Sequence, residues 1–193
     1  MSGCDRNGGP STRRLDVYCR PACIADLDRI VEIVARALVL LRAGCNFQWG
    51  DDYPVRDHFL PGVEKDQLGV VLDNEEIVGV AALTEDQGED YKQLWDITEN
   101  AIVPHRLAVD PEAQGRGYAK ALFEQAEVLA RERSYYRVVG DTNSQNKRAQ
   151  KLFASQGFKL VGQLTLAGRK GLEFLGYEKD FRHEKAEKAS QTS

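Results

Sequence analysis

The chain lacks several features that would assign it to a specialised class of protein. No apolar run in its 193 residues approaches the roughly 18 consecutive residues of a membrane-spanning helix, and no internal repeat is visible. The N-terminus has no apolar signal core, which favours the cytoplasm. A formal net charge of −4 argues against nucleic acid as the main partner. We therefore expect a cytoplasmic protein that binds neither membranes nor nucleic acid.

A metal site is also not indicated. All cysteines lie in the first quarter of the chain, and no Cys/His pattern with zinc-ligand spacing surrounds them. Free thiols in a reducing compartment are the default interpretation, and a metal or redox pair of Cys19 and Cys23 is the alternative. We predict no metal in the functional site. The cysteines are Cys4, Cys19, Cys23 and Cys45.

Length and composition fit a single domain with a real core. Hydrophobic residues make up 42% of the chain and charged residues 29%, as in an ordinary soluble protein. Residues 1–14, which include Gly8-Gly9-Pro10, are expected to be a disordered leader. Residues 182–193 are charged or small and are expected to be a flexible tail. The domain itself is predicted to span residues 15–181.

Hydrophobic spacing predicts a mixture of strands and helices in this domain. Asp26 opens or caps the first helix, and the acidic turn Asp73-Asn74-Glu75-Glu76 predicts a hairpin. Gly157 is expected to end a helix in a left-handed conformation. The predicted strands are 15–20, 68–72, 77–83, 107–109, 137–141, 158–166 and 172–177, with later helices at about 115–134 and 147–156 and an irregular loop at 84–100.

One stretch combines a strand end, a glycine-bearing loop and a helix start. Leu107-Ala108-Val109 is followed by Asp110-Pro111, which interrupts a strand, and then by Gln114-Gly115-Arg116-Gly117-Tyr118-Ala119. This order directs free backbone N–H groups and the positive end of a helix dipole at one spot, which suits a phosphate group. A plain helix N-terminus with ordinary loop glycines is the alternative.

Two common phosphate-binding motifs fit this stretch poorly. A P-loop needs Lys-Ser/Thr after its last glycine, whereas Tyr118-Ala119 follow Gly117. The dinucleotide fingerprint GxGxxG is matched only through Gly115 and Gly117, because Lys120 occupies the third small position.

Two segments instead resemble the GCN5-related N-acetyltransferase (GNAT) superfamily. Gln114-x-x-Gly117-x-Ala119 is similar to that family's Q/R-x-x-G-x-G/A signature. Asn146 to Phe153, followed by Gly157-Phe158, resembles its N-x-x-A-x-x-L-Y…G-F segment. The resemblance covers roughly residues 15–180. It implies a mixed α/β fold, in which a central twisted mixed sheet is splayed at the cofactor site and flanked by helices.

The resemblance also implies acetyl-CoA as the cofactor. The pantetheine amides are expected to pair with the free edge of the strand Leu107, Ala108 and Val109. The pyrophosphate is expected on the loop, where Arg116 and Lys120 either add charge or are plain surface residues. Asn146 is expected to bond the cofactor, with a helix N-cap role alongside. The predicted cofactor-binding residues are Leu107, Ala108, Val109, Gln114, Gly115, Arg116, Gly117, Tyr118, Ala119, Lys120, Asn146 and Phe153.

The energetics of proton transfer indicate which catalytic group matters more. Deprotonating a lysine-like amine at pH 7 costs about 4–5 kcal/mol, whereas a thiol leaves as thiolate for only about 2 kcal/mol. A general base is therefore the stronger need. The candidates are Glu99, just before the central strand, and His105 on it, although either could be a surface residue. Phe153 replaces the tyrosine that many GNAT enzymes use as general acid, and it cannot donate a proton.

The acceptor pocket is expected between Cys45 and Leu60, where aromatic residues alternate with charged ones. Because the segment after the first helix commonly lines the acceptor pocket in GNAT proteins, Trp49, Asp52 and Tyr53 are candidate substrate residues. A carboxylate and an aromatic face would suit a cationic amine. A short packed helix is the alternative interpretation of the segment.

We thus expect an N-acetyltransferase that moves an acetyl group to a primary amine by direct attack. The absence of a basic or extended groove favours a small molecule or amino-acid derivative as acceptor. A protein N-terminus or lysine side chain is one alternative. A non-catalytic acyl-CoA-binding sensor or interaction module is the other alternative. The sequence does not decide between a monomer and a homodimer.

Overall fold

The structure, a computed structural model, describes residues 17–182 and contains two antiparallel sheets. The first has the order β1-β2-β3-β4 and the second the order β5-β7-β6. Strands of the first sheet are β1 (Val17–Pro21), β2 (Leu68–Asp73), β3 (Glu76–Thr84) and β4 (Val103–Val109). Those of the second are β5 (Arg137–Asn143), β6 (Lys159–Leu164) and β7 (Phe174–Asp180).

Within residues 17–182, four α-helices flank the sheets. They are α1 (Leu27–Ala43), α2 (Arg56–Glu64), α3 (Tyr118–Glu132) and α4 (Lys147–Ser155). Short 3-10 turns occur at Ile24–Asp26, Glu89–Gln93 and Pro111–Ala113. No helix within residues 17–182 is long and apolar enough to cross a bilayer.

The first sheet is buried on both faces. On β2, Val70 and Leu72 belong to the core cluster formed with α1, whereas Val71 belongs to the cluster formed with α3. Successive side chains on a strand point to opposite faces, so a strand covered on both sides has a continuous apolar sequence. This explains why β2 and β3 read as unbroken hydrophobic runs.

The two sheets meet only briefly and then diverge. The Ile102 N–H donates to the Arg137 carbonyl at 3.3 Å, and the Val139 N–H donates to the Ile102 carbonyl at 3.0 Å. Within the described residues, one parallel bridge joins Ile102, the residue before β4, to Val138 on β5. Beyond it, no strand within residues 17–182 pairs with this edge of β4, and a gap opens between β4 and β5. The mixed α/β fold, with helices around a sheet splayed at this point, is confirmed.

A β-bulge interrupts β4 near this gap. His105 pairs with Ala82 and Ala108 with Val80, so β4 has one residue more than β3 between these pairs. Arg106 lies at the bulge with a left-handed φ of 51°. Extra residues of this kind redirect side chains and are frequent next to active sites.

Most predicted elements are present, with shifted ends. The β2–β3 hairpin and the β6–β7 hairpin are confirmed, and Gly157 has a φ of +80° after α4. Helix α3 begins at Tyr118 instead of residue 115, because Gly115 and Gly117 adopt left-handed conformations. Strand β5 continues to Asn143 because pairing with β7 continues to that residue.

One segment is more ordered than expected, because the predicted loop 84–100 contains a 3-10 turn and its Tyr91 and Trp95 are buried in a third core cluster. In the segment 45–60, the start of α2 with its fully buried Phe59 agrees with the alternative interpretation of a short packed helix. Cys19, Cys23 and Cys45 are free thiols. Cys4, the leader 1–14, residues 15–16 and the tail beyond residue 182 lie outside the described residues.

Candidate functional site

A cavity of about 590 Å³ lies between the end of β4, the starts of α3 and α4, and the C-terminal end of α1. The strand supplies Leu107, Ala108 and Val109 to its wall. The glycine loop and the first turn of α3 supply Gln114, Gly115, Gly117, Tyr118, Ala119 and Lys120. Helix α4 and the turn before it supply Gln145, Asn146, Lys147, Arg148, Ala149 and Leu152.

The glycine loop is open toward this cavity. Gly115 and Gly117 have φ values of +83° and +92°, which an L side chain rarely adopts. A Cβ built at either position would meet no atom within 4 Å, so close packing is not the reason for glycine there. The backbone conformation is the reason, and it leaves space beside the N-terminus of α3 for a ligand.

Buried polar contacts hold the loop from behind. Asp110 is buried, and its carboxylate accepts bonds from Arg29 at 2.8 Å, Arg36 at 3.0 Å and the Glu112 N–H at 3.0 Å. The Gln114 amide donates to the Val109 carbonyl at 3.2 Å, and its oxygen accepts a bond from Arg148. These bonds connect α1, β4, the loop and α4, and so fix the shape of the cavity entrance.

The charge of the cavity differs from that of the chain. Among the described residues that line it, Lys120, Lys147 and Arg148 are cationic and none is an aspartate or glutamate. The chain as a whole carries a net charge of −4. A wall with cations, free backbone N–H groups and a helix N-terminus attracts a polyanion such as a diphosphate.

Most predicted cofactor residues come together in this wall, with two differences. Arg116 is absent from the lining, and its guanidinium lies 4.0 Å from Asp73. Phe153 instead lines a second, smaller cavity that adjoins this one. Tyr118 is buried, and its hydroxyl donates to Asp73, so this side chain anchors the start of α3. Asn146 lines both cavities while its side chain accepts from the Ala149 N–H at 3.1 Å as the N-cap of α4.

A second cavity of about 180 Å³ adjoins the first at the bulge of β4. The two share Gln48, Trp49, Leu107 and Asn146 among other lining residues, so they form one continuous site. The second is lined in addition by charged and aromatic residues from across the chain: Tyr53, His105, Arg106, Asp141, Phe153, Arg169 and Phe174.

Among the residues that line the second cavity, His105 and Asp141 have shifted pKa values. Burial lowers the pKa of His105 below its usual 6.5, and the charge of Asp141 opposes this only in part. Burial raises the pKa of Asp141, against a bond of 2.6 Å from the Tyr91 hydroxyl and the influence of His105. The Nε2 atom of His105 lies 3.4 Å from the Asp86 carbonyl oxygen. A neutral imidazole near pH 7 can accept a proton.

Two predicted residues lie away from both cavities. Glu99 is half-exposed, and its carboxylate lies 3.5 Å from Arg137 and 3.7 Å from Arg182. Asp52 is exposed. Neither is part of either cavity lining. Trp49 lines both cavities and Tyr53 lines the second, so of the predicted substrate residues the structure brings these two to the site.

Phe153 packs in an aromatic cluster at the second cavity. Its ring stacks on Tyr177 with centroids 4.6 Å apart and meets Phe123 and Phe158 edge-on at 5.0 Å and 5.3 Å. Gly140 makes room for this ring, because a Cβ there would lie 3.3 Å from it. The position is therefore apolar and has no proton to donate.

Three charged residues of the second cavity were not among the predicted site residues. Arg106 follows His105 on the central strand, and that position was a usable signal. Asp141 was expected only as a strand end, and Arg169 lies in a hairpin loop with no motif around it. No local pattern connects these two to the site.

A family model described as the acetyltransferase (GNAT) family matches residues 35–158. N-acetyltransferase 8B of Homo sapiens is 39% identical over 67 residues, which are 35% of this chain and 30% of the human protein. N-acetylaspartate synthetase of Danio rerio is 34% identical over 90 residues, which are 44% of this chain and 32% of the fish protein. The matched segments thus span about a third of the length of these curated relatives.

Solved structures show a similar fold. A GNAT-family acetyltransferase from Streptococcus agalactiae superposes with a TM-score of 0.74 at 22% identity, covering 85% of this chain and 95% of that one. A PaiA N-acetyltransferase from Thermoplasma acidophilum in complex with coenzyme A has a TM-score of 0.65 at 16% identity, covering 86% and 100%. At these identities the likeness concerns the fold.

Proposed function

The chain belongs to the GNAT family of acetyltransferases, and from this membership we propose that it transfers an acetyl group from acetyl-CoA to the primary amine of a small molecule or amino-acid derivative. One observation carries the proposal. A large cavity with cations and no acids opens into a small cavity that contains a histidine with a lowered pKa. A polyanionic donor and an amine acceptor would meet at their junction.

The family's cofactor is acetyl-CoA, and the residues of the large cavity fit it. Gly115, Gly117 and the start of α3 would hold the pyrophosphate through backbone N–H groups, with Lys147 and Arg148 adding positive charge. The unpaired β4 edge at Leu107–Val109 would take the extended, amide-bearing arm. When bound, acetyl-CoA supplies the acetyl group as a reactive thioester.

His105 is the proposed general base. It lies in the small cavity, where the acceptor amine would bind, whereas Glu99 pairs with arginines outside both cavities. Removing a proton from an amine of pKa near 10.4 costs about 4–5 kcal/mol at pH 7. A neutral imidazole within the cavity gives this proton an acceptor at the site, and the nearby charge of Asp141 favours the protonated ring.

The chain is proposed to work without a side-chain acid at the sulfur atom. Phe153 occupies the position of the family tyrosine and packs among aromatic rings. A thiol of pKa near 8.5 leaves as thiolate for about 2 kcal/mol at pH 7, which is small beside the cost at the amine. The same residue supports the second candidate, a sensor that binds acyl-CoA without turnover.

The size of the second cavity supports a small acceptor. About 180 Å³ accommodates a group of amino-acid size, and its walls come from buried or half-buried residues. One of the matched relatives is named for the synthesis of N-acetylaspartate, which agrees with an amino-acid derivative. A protein N-terminus or a lysine side chain remains the alternative acceptor.

Release of free thiol from acetyl-CoA tests the proposal. The purified chain is incubated with acetyl-CoA and a series of amines, amino acids and N-terminal peptides, and thiol is measured with a chromogenic disulfide. We expect turnover with at least one small amine and a loss of most of it in His105→Gln. Binding of coenzyme A by calorimetry, with no turnover on any amine, would favour the sensor.

A further inference from the structure

Two arginines share one aromatic ring in the second cavity. The Nε atom of Arg106 donates to the Tyr53 hydroxyl at 3.0 Å, and its Cζ lies 5.5 Å from the ring centroid. The Cζ atom of Arg169 lies 4.3 Å from the same centroid. Both arginines are lining residues of the cavity that contains His105. Two positive charges are thereby held together beside the proposed base.

Neither guanidinium has an acidic partner within the described range, residues 17–182. Arg106 bonds the Tyr53 hydroxyl, and Arg169 makes one weak bond, at 3.4 Å, to the Gly168 carbonyl. Elsewhere in the chain, half-buried or buried arginines are paired with carboxylates, as Arg29 and Arg36 are with Asp110. A partly desolvated guanidinium is stabilised by a carboxylate partner. Arg106 and Arg169 lack such a partner among the described residues, so an anionic group of a ligand can take its place.

Both arginines are positioned by the fold. Arg106 lies at the β4 bulge with a φ of 51°, a conformation that a non-glycine residue adopts only when its surroundings require it. The loop that carries Arg169 is tied to the 3-10 turn before β4. There the Ala167 N–H donates to Asp90 at 2.9 Å, and the Gln93 amide donates to the Thr165 carbonyl at 2.8 Å.

Two other residues of the cavity, His105 and Asp141, have the opposite preference. Asp141 is acidic, and His105 is held neutral, so this side of the cavity suits a cationic or proton-donating group. The cavity therefore has a site for a negative group at Arg106 and Arg169 and a site for an ammonium group at His105 and Asp141. Its volume of about 180 Å³ limits how far apart these two groups can be on one ligand.

We propose that the acceptor is a free amino acid, whose carboxylate binds Arg106 and Arg169 while its amine faces His105. The inference rests on the proposed function and narrows its substrate class. A guanidinium matches a carboxylate in shape and charge, and it contributes most where water is excluded. Polyamines and lysine side chains within a protein lack a carboxylate near the amine, and the two arginines would repel them.

The transfer step balances without any further reactant. The amine nitrogen forms a bond to the acetyl carbonyl carbon, and the carbon–sulfur bond breaks. Of the two protons that the ammonium group loses, one passes through His105 to solvent and the other ends on the thiol of coenzyme A. The products are an N-acetyl amino acid and free coenzyme A.

Matched acceptor pairs test this inference. Thiol release from acetyl-CoA is measured with several amino acids, each beside its carboxamide and the amine that lacks the carboxyl group. We expect kcat/KM to be roughly 10- to 100-fold higher for the acid that fits best than for its carboxamide, the effect of one or two charge-assisted bonds. Equal values for acids and carboxamides would overturn the inference.

Substitutions of the two arginines then test which residues cause the preference for a carboxylate. Arg169→Gln and Arg106→Gln should each raise KM for the acid about 10-fold or more and change KM for the carboxamide little, while Arg169→Lys should retain part of the preference. Lys170→Gln is the matched control, because Lys170 is exposed on the same loop and lies outside the cavity lining. A variant that raises KM equally for both acceptors would contradict carboxylate binding.

Two further measurements distinguish failure of this inference from misfolding of a variant and from failure of the proposed function. The affinity of each variant for coenzyme A, measured by calorimetry, should match the wild type, which excludes misfolding as the cause of a raised KM. Turnover on amines with no preference for a carboxylate would overturn this inference alone. No turnover on any amine would overturn the proposed function and this inference with it.

Discussion

The two cavities of this protein are built in different ways. The large one takes most of its wall from two short stretches, residues 107–120 and 145–152, and much of its binding capacity lies in the backbone. The small one collects single side chains from distant parts of the chain: Tyr53, His105, Arg106, Asp141 and Arg169. A donor shared by a whole family can be held by backbone groups, whereas the choice of acceptor depends on dispersed side chains.

The largest expected effect is in the small cavity. His105→Gln should lower kcat/KM by about 10²- to 10⁴-fold, the usual contribution of a general base. Only the neutral ring accepts a proton, and burial holds its pKa below 6.5, so wild-type kcat/KM should rise with pH through a value under 6.5. The variant should lose that rising limb. Glu99→Gln serves as the comparison, and an equal loss there would transfer the role of base to Glu99.

Next in size is a change to the backbone of the large cavity. Gly117→Ala places a Cβ at a φ of +92°, which costs about 1–2 kcal/mol for an L residue and would distort the loop. We expect KM for acetyl-CoA to rise about 10-fold, with KM for the acceptor little changed. Gly168→Ala is the control, because its Cβ meets no atom within 4 Å and its φ lies outside the left-handed range. A rise in the acceptor KM alone would contradict the assignment of acetyl-CoA to the large cavity and of the acceptor to the small one.

A smaller effect is expected from one cation of the large cavity. Lys147→Gln removes a charge from the lining, whereas Lys151→Gln removes an exposed charge from the same helix outside it. The first should raise the dissociation constant of coenzyme A about two- to fivefold, as one solvent-exposed charge near a polyanion does. The difference between the two variants should shrink as salt is added. Calorimetry at two ionic strengths measures both effects.

The smallest effect is predicted at the position of the missing acid. Phe153→Tyr restores the hydroxyl of the family motif, yet departure of the thiolate costs only about 2 kcal/mol at pH 7. We expect kcat at pH 7 to change by much less than the roughly 30-fold that 2 kcal/mol represents, because the larger cost, deprotonation of the amine, is unaffected. A much larger gain, measured by steady-state kinetics, would show that loss of this acid limits the enzyme. Tyr177→Phe, in the ring stacked on Phe153, controls for altered packing.

The difference in construction between the two cavities also explains which site residues could be predicted from the sequence. The glycine loop and Asn146 lie in contiguous motifs, so their place at the large cavity was foreseeable. Arg116 is in the motif but turns to Asp73, because a loop residue can point either way and no local pattern decides between them. Asp52 and Glu99 were plausible by charge and position, yet one is exposed and the other pairs with Arg137.

The remaining acceptor residues depend on tertiary contacts. Arg169 reaches Tyr53 only because the β6–β7 loop is tied to the 3-10 turn before β4. Asp141 on β5 lines the same cavity as His105 on β4 because these two strands border one gap beyond a single bridge. Spacing along the chain carries information about neither contact, since both follow from how the two sheets meet.

The β4 bulge has a consequence for how the chain tolerates insertions and deletions. His105 is paired with Ala82 and Ala108 with Val80, and both partners belong to the core on the α1 side of the sheet. Two residues three positions apart share a face only because of the bulge, since strand side chains otherwise alternate. Deletion of Arg106 would leave His105 and Ala108 two positions apart, so a regular strand would keep the imidazole on the same face and only the bulge would be lost. The extra residue of the bulge therefore adds Arg106 to the cavity lining without turning His105 to the other face.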